Sequence, residues 1–258
     1  MNWYEIKNAA EETAEVWIYD MIGEDFFGDG IAAKSFVSDL NEITASKIDL
    51  HVNSPGGSVR EGQAIHNAIA RHPAKVTTYV DGLAASIAST IALAGDEVIM
   101  ADNSLMMIHS AWAVAMGNAK DMRQTADVLE KHDQAIEGIY QRKSGQDLEV
   151  IQDAMAAETW FTADEAVDFG LADKVESGLK AVALAIDEKI VARWKNAPDI
   201  DKLKGNATSQ TTQIPDNMNI TIVNNLPSAG AAVDDSDGAS QTVPENLQYE
   251  LIQHRRNK

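Results

Sequence analysis

The chain has 258 residues, 45% of them hydrophobic, enough for one large domain or two modest ones. A net charge of −19 lacks the basic face that nucleic acid or an anionic membrane surface would require, and no run of about 18 apolar residues reads as a bilayer span. The absence of cysteine excludes disulfides, thiolate zinc sites and a cysteine nucleophile, and it fits a reducing cytoplasm.

The opening MNWYEIKNAAEE has neither the basic flank nor the apolar stretch of a signal peptide. Glu15 to Ile22 is apolar and β-prone, so it reads as the first strand. Ile31, Phe36, Leu40 and Ile43 recur at helical spacing. KIDLHVNSPGG then reads as a strand closed by a Pro-Gly-Gly turn. Ser58 and Glu61 form an S-x-x-E capping box, which predicts a helix from Ser58 to about Arg71. AKVTTYV is the next strand, with Asp81-Gly82 as its turn. GLAASIASTIALAGD follows as a helix of small residues ending at Gly95.

EVIMA and SLMMIHS are short strands. Ala119 to Lys143 carries Met122, Ala126, Leu129, Ile136 and Tyr140 on roughly one helical face, with Gly145 placed as its C-terminal cap. DLEVIQDAM is a shorter helix. Thr162 and Glu165 repeat the capping box for a helix ending near Gly170, and LADKV is the last strand. Strands alternating with helices predict an α/β fold with a largely parallel sheet. DEKIVARWK could add a helix. From Asn196 the chain turns rich in Ser, Thr, Asn, Gly, Asp and Pro, a composition too polar to offset ordering entropy, with ITIV and NLQYELI as short exceptions.

Three expected strands end in residues that can carry chemistry. KIDLHVN runs into Pro55-Gly56-Gly57, VTTYVDG leads to Ser86, and LMMI ends at His109. Sites in open α/β sheets form beyond the carboxyl ends of parallel strands, so the three can converge. Ser86 lies at a helix entry, beside N–H groups that have no intrahelical partner and favour negative charge. A serine there serves equally as an N-cap. Ser89, one turn on, reads as interior filler. A serine nucleophile needs a base, and of the six histidines only His109 directly follows an apolar strand at its C-terminal end; a structural histidine is the other reading. Gly56-Gly57 permits close backbone approach, or simply a turn. The chain holds no P-loop and no H-E-x-x-H cluster, so ATP hydrolysis, a catalytic metal and a cofactor are not expected.

SPGGSV, GLAASIAS and MMIHSA, in that order and spacing, resemble the ClpP family of serine peptidases, of the ClpP/crotonase fold. The likeness extends over roughly residues 15 to 176 and includes the closing FTADEAVDFGLADKV. It implies repeated ββα units around a largely parallel sheet in residues 1–195, followed by a disordered or extended tail over 196–258. It implies Ser86 as nucleophile, His109 as general base, and the N–H groups of Gly57 and Ile87 as the oxyanion hole. For the triad acid, aligning T-A-x-E-A in AAETWFTADEA puts Trp160 on the family's phenylalanine and Glu158 on its aspartate. A one-residue shift anchored on Phe161 would put Thr159 there instead. The first alignment yields a carboxylate without a gap. Glutamate for aspartate is a departure, but one more methylene can still reach the imidazole. Asp153 is the runner-up acid and Asp164 a distant third.

After the histidine the family has glutamine and proline, where this chain has Ser110-Ala111-Trp112. HSAWAVAMGNAKDM and the polar tail instead resemble the ClpP-like proteases of phages and prophages. That implies a peptide or protein substrate, namely capsid or scaffold protein cut during head maturation, in the bacterial or host cytoplasm or the procapsid. It also implies a homo-oligomeric ring, with the Ala119–Lys143 helix at the ring-to-ring contact. A second reading is a degradative barrel fed by a separate AAA+ unfoldase, although MNWYEIKNAAEET does not match the family's axial loop. A third is a non-proteolytic crotonase-fold enzyme acting on acyl-CoA thioesters, disfavoured by the pair Ser86 and His109. A fourth is an assembly protein that binds through its tail.

Overall fold

Val16 and Ile18, then Ile48, Leu50 and Val52, then Val76 and Val80 are buried at every second position of three successive strands. Alternation with period two buries one face of a sheet, and helices cover that face here. The computed structural model describes residues 3–23, 32–177 and 194–198. These belong to the first of two units, Met1–Thr208. ITIV, NLQYELI and the rest of Ser209–Lys258 lie outside the described residues, as does DEKIVARWK except for Trp194 and Lys195.

The strands are β1 (Tyr4–Lys7), β2 (Thr13–Tyr19), β3 (Lys47–Ser54), β4 (Lys75–Ala85), β5 (Glu97–Ala101), β6 (Leu105–Ile108), β7 (Thr159–Thr162) and β8 (Lys174–Glu176). The helices are α1 (Ala33–Leu40), α2 (Val59–Ala70), α3 (Ile87–Ala92), α4 (Ala119–Ser144), α5 (Leu148–Ala156) and α6 (Ala163–Phe169). The sheet runs β1-β2-β3-β4-β5-β8, and β6 leaves this path to pair with β4 and β7. Among the described strands, only β1–β2 and β6–β7 pair antiparallel. This is the mixed α/β, mostly parallel sheet that the sequence implies. The buried face packs against Phe36 and Leu40 of α1, Ile65 and Ile69 of α2, and Ile87 and Ile91 of α3. On the other face Trp17, His51 and Tyr79 stand in one cross-strand row, their rings stacked at 4.0 and 5.2 Å.

Local structure departs from the sequence reading in four places. β1 and β7 are strands where none was expected. Asp81-Gly82 is not a turn, because β4 continues through it to Ala85. Asp81 is held in place by Tyr19 Oη of β2, two strands away, and His51 Nδ1 of the neighbouring β3, at 2.7 and 2.8 Å. The small-residue helix is correspondingly shorter, Ile87–Ala92. Finally, α2 starts after Ser58 as expected but without the capping box: the Glu61 carboxylate accepts instead from the Ala33 N–H of α1, at 2.8 Å. A cap is worth about 1 kcal/mol, whereas burying Ile65 and Ile69 contributes about 1.5–3 kcal/mol each, so packing fixes this helix. The boxes at Asn118/Asp121 and Thr162/Glu165 do form, and Gly145 and Gly170 cap α4 and α6 in the left-handed conformation. Along α4 only Ile136 and Tyr140 are buried.

Candidate active site

β4 changes partner midway. Thr77 to Val80 pair with β5, and Leu83 to Ala85 pair with β6. Its register against β3 shifts between Val52 and Ser54, at the same level where β4 passes from β5 to β6. The Ser86 N–H then donates to Met107 O at 2.9 Å, tying the end of β4 to the strand that leads to His109. The pairing therefore brings residues 23 apart in sequence together: Ser86 Oγ and His109 Nε2 lie 2.7 Å from each other.

Ser86 has φ 57° and ψ −131°, between the end of β4 and the start of α3. A side chain at positive φ costs about 1–3 kcal/mol, and such strain persists only where the surroundings over-determine it. Ala84, Ala85 and Ala88, all fully buried, add no bulk around the bend. The glycine pair lies directly against it. A Cβ on Gly56 would sit 2.7 Å from Ser86 Cβ, and one on Gly57 would sit 2.2 Å from Ile22 O. Ile22 pins that loop, donating to Gly56 O at 2.8 Å and accepting from Ser58 N–H at 3.0 Å. Among the described residues, the N–H groups of Gly57 and Ile87 donate to no protein acceptor. Both residues border a cavity of about 120 Å³ together with Ser86, His109, Trp112 and Ile136.

His109 is half-buried. Burial pushes its imidazole below the ordinary histidine value, and the negative charge of Glu158 offsets part of that. A neutral imidazole next to a hydroxyl is the form that can accept its proton. Glu158 stands one step beyond the Ile108–Thr159 pair of the antiparallel β6–β7 ladder, on the partner position to His109. It has φ 52°. Its carboxylate accepts from the N–H of Lys195 at 3.0 Å, the N–H of Asn196 at 2.8 Å and the Trp160 indole N–H at 3.4 Å. Among the described residues no hydrogen bond joins it to His109; the imidazole's side-chain hydrogen bond is to Ser86. Asp153 is exposed on α5 and Asp164 is exposed in the first turn of α6, neither touching the site. Thr159 donates its hydroxyl to Ala154 O.

Two features of the site were not visible in the sequence. One is the segment around Trp194, Lys195 and Asn196, which straddles the expected boundary at 195/196; Trp194 meets Trp160 edge-on at 5.1 Å. No sequence signal marks it beyond a tryptophan at the edge of a polar stretch. The other is Ser89, which binds the backbone of Ser86; its position three residues on in a helix was the available clue.

A hydroxyl, an imidazole and unpaired N–H groups meet beyond the carboxyl ends of a mostly parallel sheet, the arrangement of a serine hydrolase on an α/β fold. Residues 1–178 match the family model described as Clp protease, so the chain belongs to the Clp protease family and is a serine peptidase. It is 34% identical over 182 residues to the ATP-dependent Clp protease proteolytic subunit 1 of Chlamydia abortus, spanning 66% of this chain and 94% of that relative. It is 36% identical over 137 residues to the ATP-dependent Clp protease proteolytic subunit of Ligilactobacillus salivarius, spanning 52% of this chain and 70% of the relative. Against the ATP-dependent Clp protease proteolytic subunit 3 of Rhodococcus jostii it is 35% identical over 138 residues, 53% of this chain and 68% of the relative.

Proposed function

We propose that the chain is a serine endopeptidase in which Ser86 is the nucleophile, His109 the general base and Glu158 the triad acid, with the N–H groups of Gly57 and Ile87 as the oxyanion hole. The observation that carries this reading is the 2.7 Å contact between Ser86 Oγ and His109 Nε2 at a strained elbow. The Ser86 proton passes to His109 Nε2 as Oγ attacks the peptide carbonyl carbon. The oxyanion is stabilised by the two N–H groups. The C–N bond breaks as His109 returns the proton to the leaving amine, and water resolves the ester by the same route. Glu158, opposite His109 and negatively charged, stabilises the imidazolium that forms in each half-reaction.

At the finer level the reading is a phage or prophage protease that processes capsid or scaffold protein during head maturation, in the host cytoplasm or procapsid, as a homo-oligomeric ring. HSAWAVAMGNAKDM after the nucleophile's base and the polar chain beyond residue 196 support it. A specific observation favours a second reading: the relatives carry the name of ATP-dependent proteolytic subunits. In that reading a separate AAA+ unfoldase feeds the ring in the bacterial cytoplasm. Cleavage assays separate the two. The first reading expects the purified chain alone to cut its cognate scaffold protein at defined bonds. The second expects folded protein to be degraded only when an unfoldase and ATP are added. Among the described residues no helix is long and apolar enough to cross a membrane.

A further inference from the structure

Ser86 is not a glycine, yet it holds φ 57°, so something must fix its backbone. Its carbonyl receives two donors from α3. The Ser89 N–H reaches it at 3.0 Å and the Ser89 hydroxyl at 2.5 Å. Ser89 is completely buried. Its Oγ also lies 2.7 Å from the hydroxyl of Tyr140, which comes from α4, 51 residues away. A serine hydroxyl has one proton. Ser89 spends that proton on the Ser86 carbonyl, so the Tyr140 hydroxyl must be the donor to Ser89. Burial keeps the Tyr140 phenol protonated far above its usual range, as a donor requires. The Tyr140 ring also borders the cavity at Ser86. Neither hydroxyl takes part in the proton transfer between Ser86 and His109.

We propose that Tyr140 and Ser89 are positioning residues: a two-hydroxyl brace from α4 to the Ser86 carbonyl that holds the nucleophile's elbow in its strained, reactive conformation. The proposal rests on the reading of Ser86 as the nucleophile. It assigns a role to the buried serine that composition alone marks as filler, and to the one tyrosine of α4. A helix serine bonding back to the carbonyl three residues before it is an ordinary packing device. What sets this case apart is the carbonyl it reaches and the second hydroxyl that fixes its direction.

The test uses the full chain and three variants: Tyr140→Phe, Ser89→Ala and the double variant. Three quantities are read: the rate of Ser86 modification by a fluorophosphonate, kcat and KM on a fluorogenic peptide, and Tm. Each single substitution is expected to lower the modification rate and kcat about 10-fold while KM stays within about twofold, as the loss of one aligned hydrogen bond in the reacting conformation would. The double variant is expected to be no slower than the slower single, because the two hydroxyls act in series. Ser89→Cys, which keeps a weaker donor in similar volume, is expected to fall between wild type and Ser89→Ala. Variants that lose Tm but keep the wild-type modification rate and kcat would overturn the brace, as would additive losses in the double variant. If wild type itself is not modified at Ser86, the nucleophile reading fails first and the brace falls with it. If wild type reacts and all variants match it, only the brace fails.

Discussion

As the proposed general base, His109 would carry the pH dependence of the site. Burial holds its imidazole below the ordinary value of 6.5, and Glu158 restores only part of the shift. In the proposed role of general base it is thus neutral at pH 7, and protonation would stop it only at lower pH. The acid limb of kcat/KM is expected below pH 6.5, and a limb above that value would contradict the assignment. Glu158→Gln removes the charge that raises the imidazole, so the limb should move further down while turnover falls by about 100-fold or more. Asp153→Asn should change neither, since Asp153 is exposed on α5; a larger loss there would reject Glu158 as the acid. His109 was legible because it directly follows a strand, and strand ends are where such sheets place chemistry; Ser86, read as the entry of a helix after a turn, was legible through the order of SPGGSV, GLAASIAS and MMIHSA. The partners of Glu158 were not, since Lys195 and Asn196 lie 37 and 38 residues further on, where a short helical pattern gives way to the polar tail. Tyr140 was legible as a core residue, but not its hydroxyl's destination.

β4 is the element that builds the site. Its first half belongs to the sheet through β5 and its second half to β6, and the redirection between them delivers Ser86 to His109. Sequence reading broke this strand at Asp81-Gly82 because that pair is a common turn signal. Tyr19 of β2 and His51 of β3 override it by hydrogen-bonding Asp81 from other strands, a tertiary effect that no local window contains. The same holds at Ser58, where the capping-box pattern was present but Glu61 found the N–H of Ala33 instead. The boxes that did form, at Asn118 and Thr162, stand on exposed turns with no rival donor for the carboxylate. The loop after β3 is equally constrained: Gly57→Ala would drive a Cβ to 2.2 Å from Ile22 O. That variant should still fold but lose about 10²–10³ in kcat, because the N–H proposed for the oxyanion hole moves. Unchanged peptide turnover would remove Gly57 from the oxyanion hole.

For the whole molecule, buried histidines link stability to pH. Burial also pushes His66 below 6.5 despite its 2.7 Å contact with Thr90 O. The unfolded chain therefore binds that proton first. Stability contributed by neutral His66 is present above pH 6.5, falls as the pH drops toward the depressed folded value, and levels off below it. The urea midpoint of wild type should fall more between pH 7.5 and 5.5 than that of His66→Gln, and equal losses would contradict this. The surface carries a second expectation. Trp112 and Val114, in the segment that leads into α4, are 59% and 81% exposed, and Val128 on α4 is exposed as well. In the ring reading that apolar surface is covered by another copy, so Val128→Glu should lower the sedimentation coefficient of the assembled protein; an unchanged value would remove α4 from the contact.

The central claim is that Ser86 is an activated nucleophile, and mapping a fluorophosphonate adduct tests it most directly. The expected result is a single adduct on Ser86, absent in Ser86→Ala and strongly slowed in His109→Ala. A folded, assembled wild-type sample that resists the reagent, or an adduct that persists elsewhere in Ser86→Ala, would contradict the account.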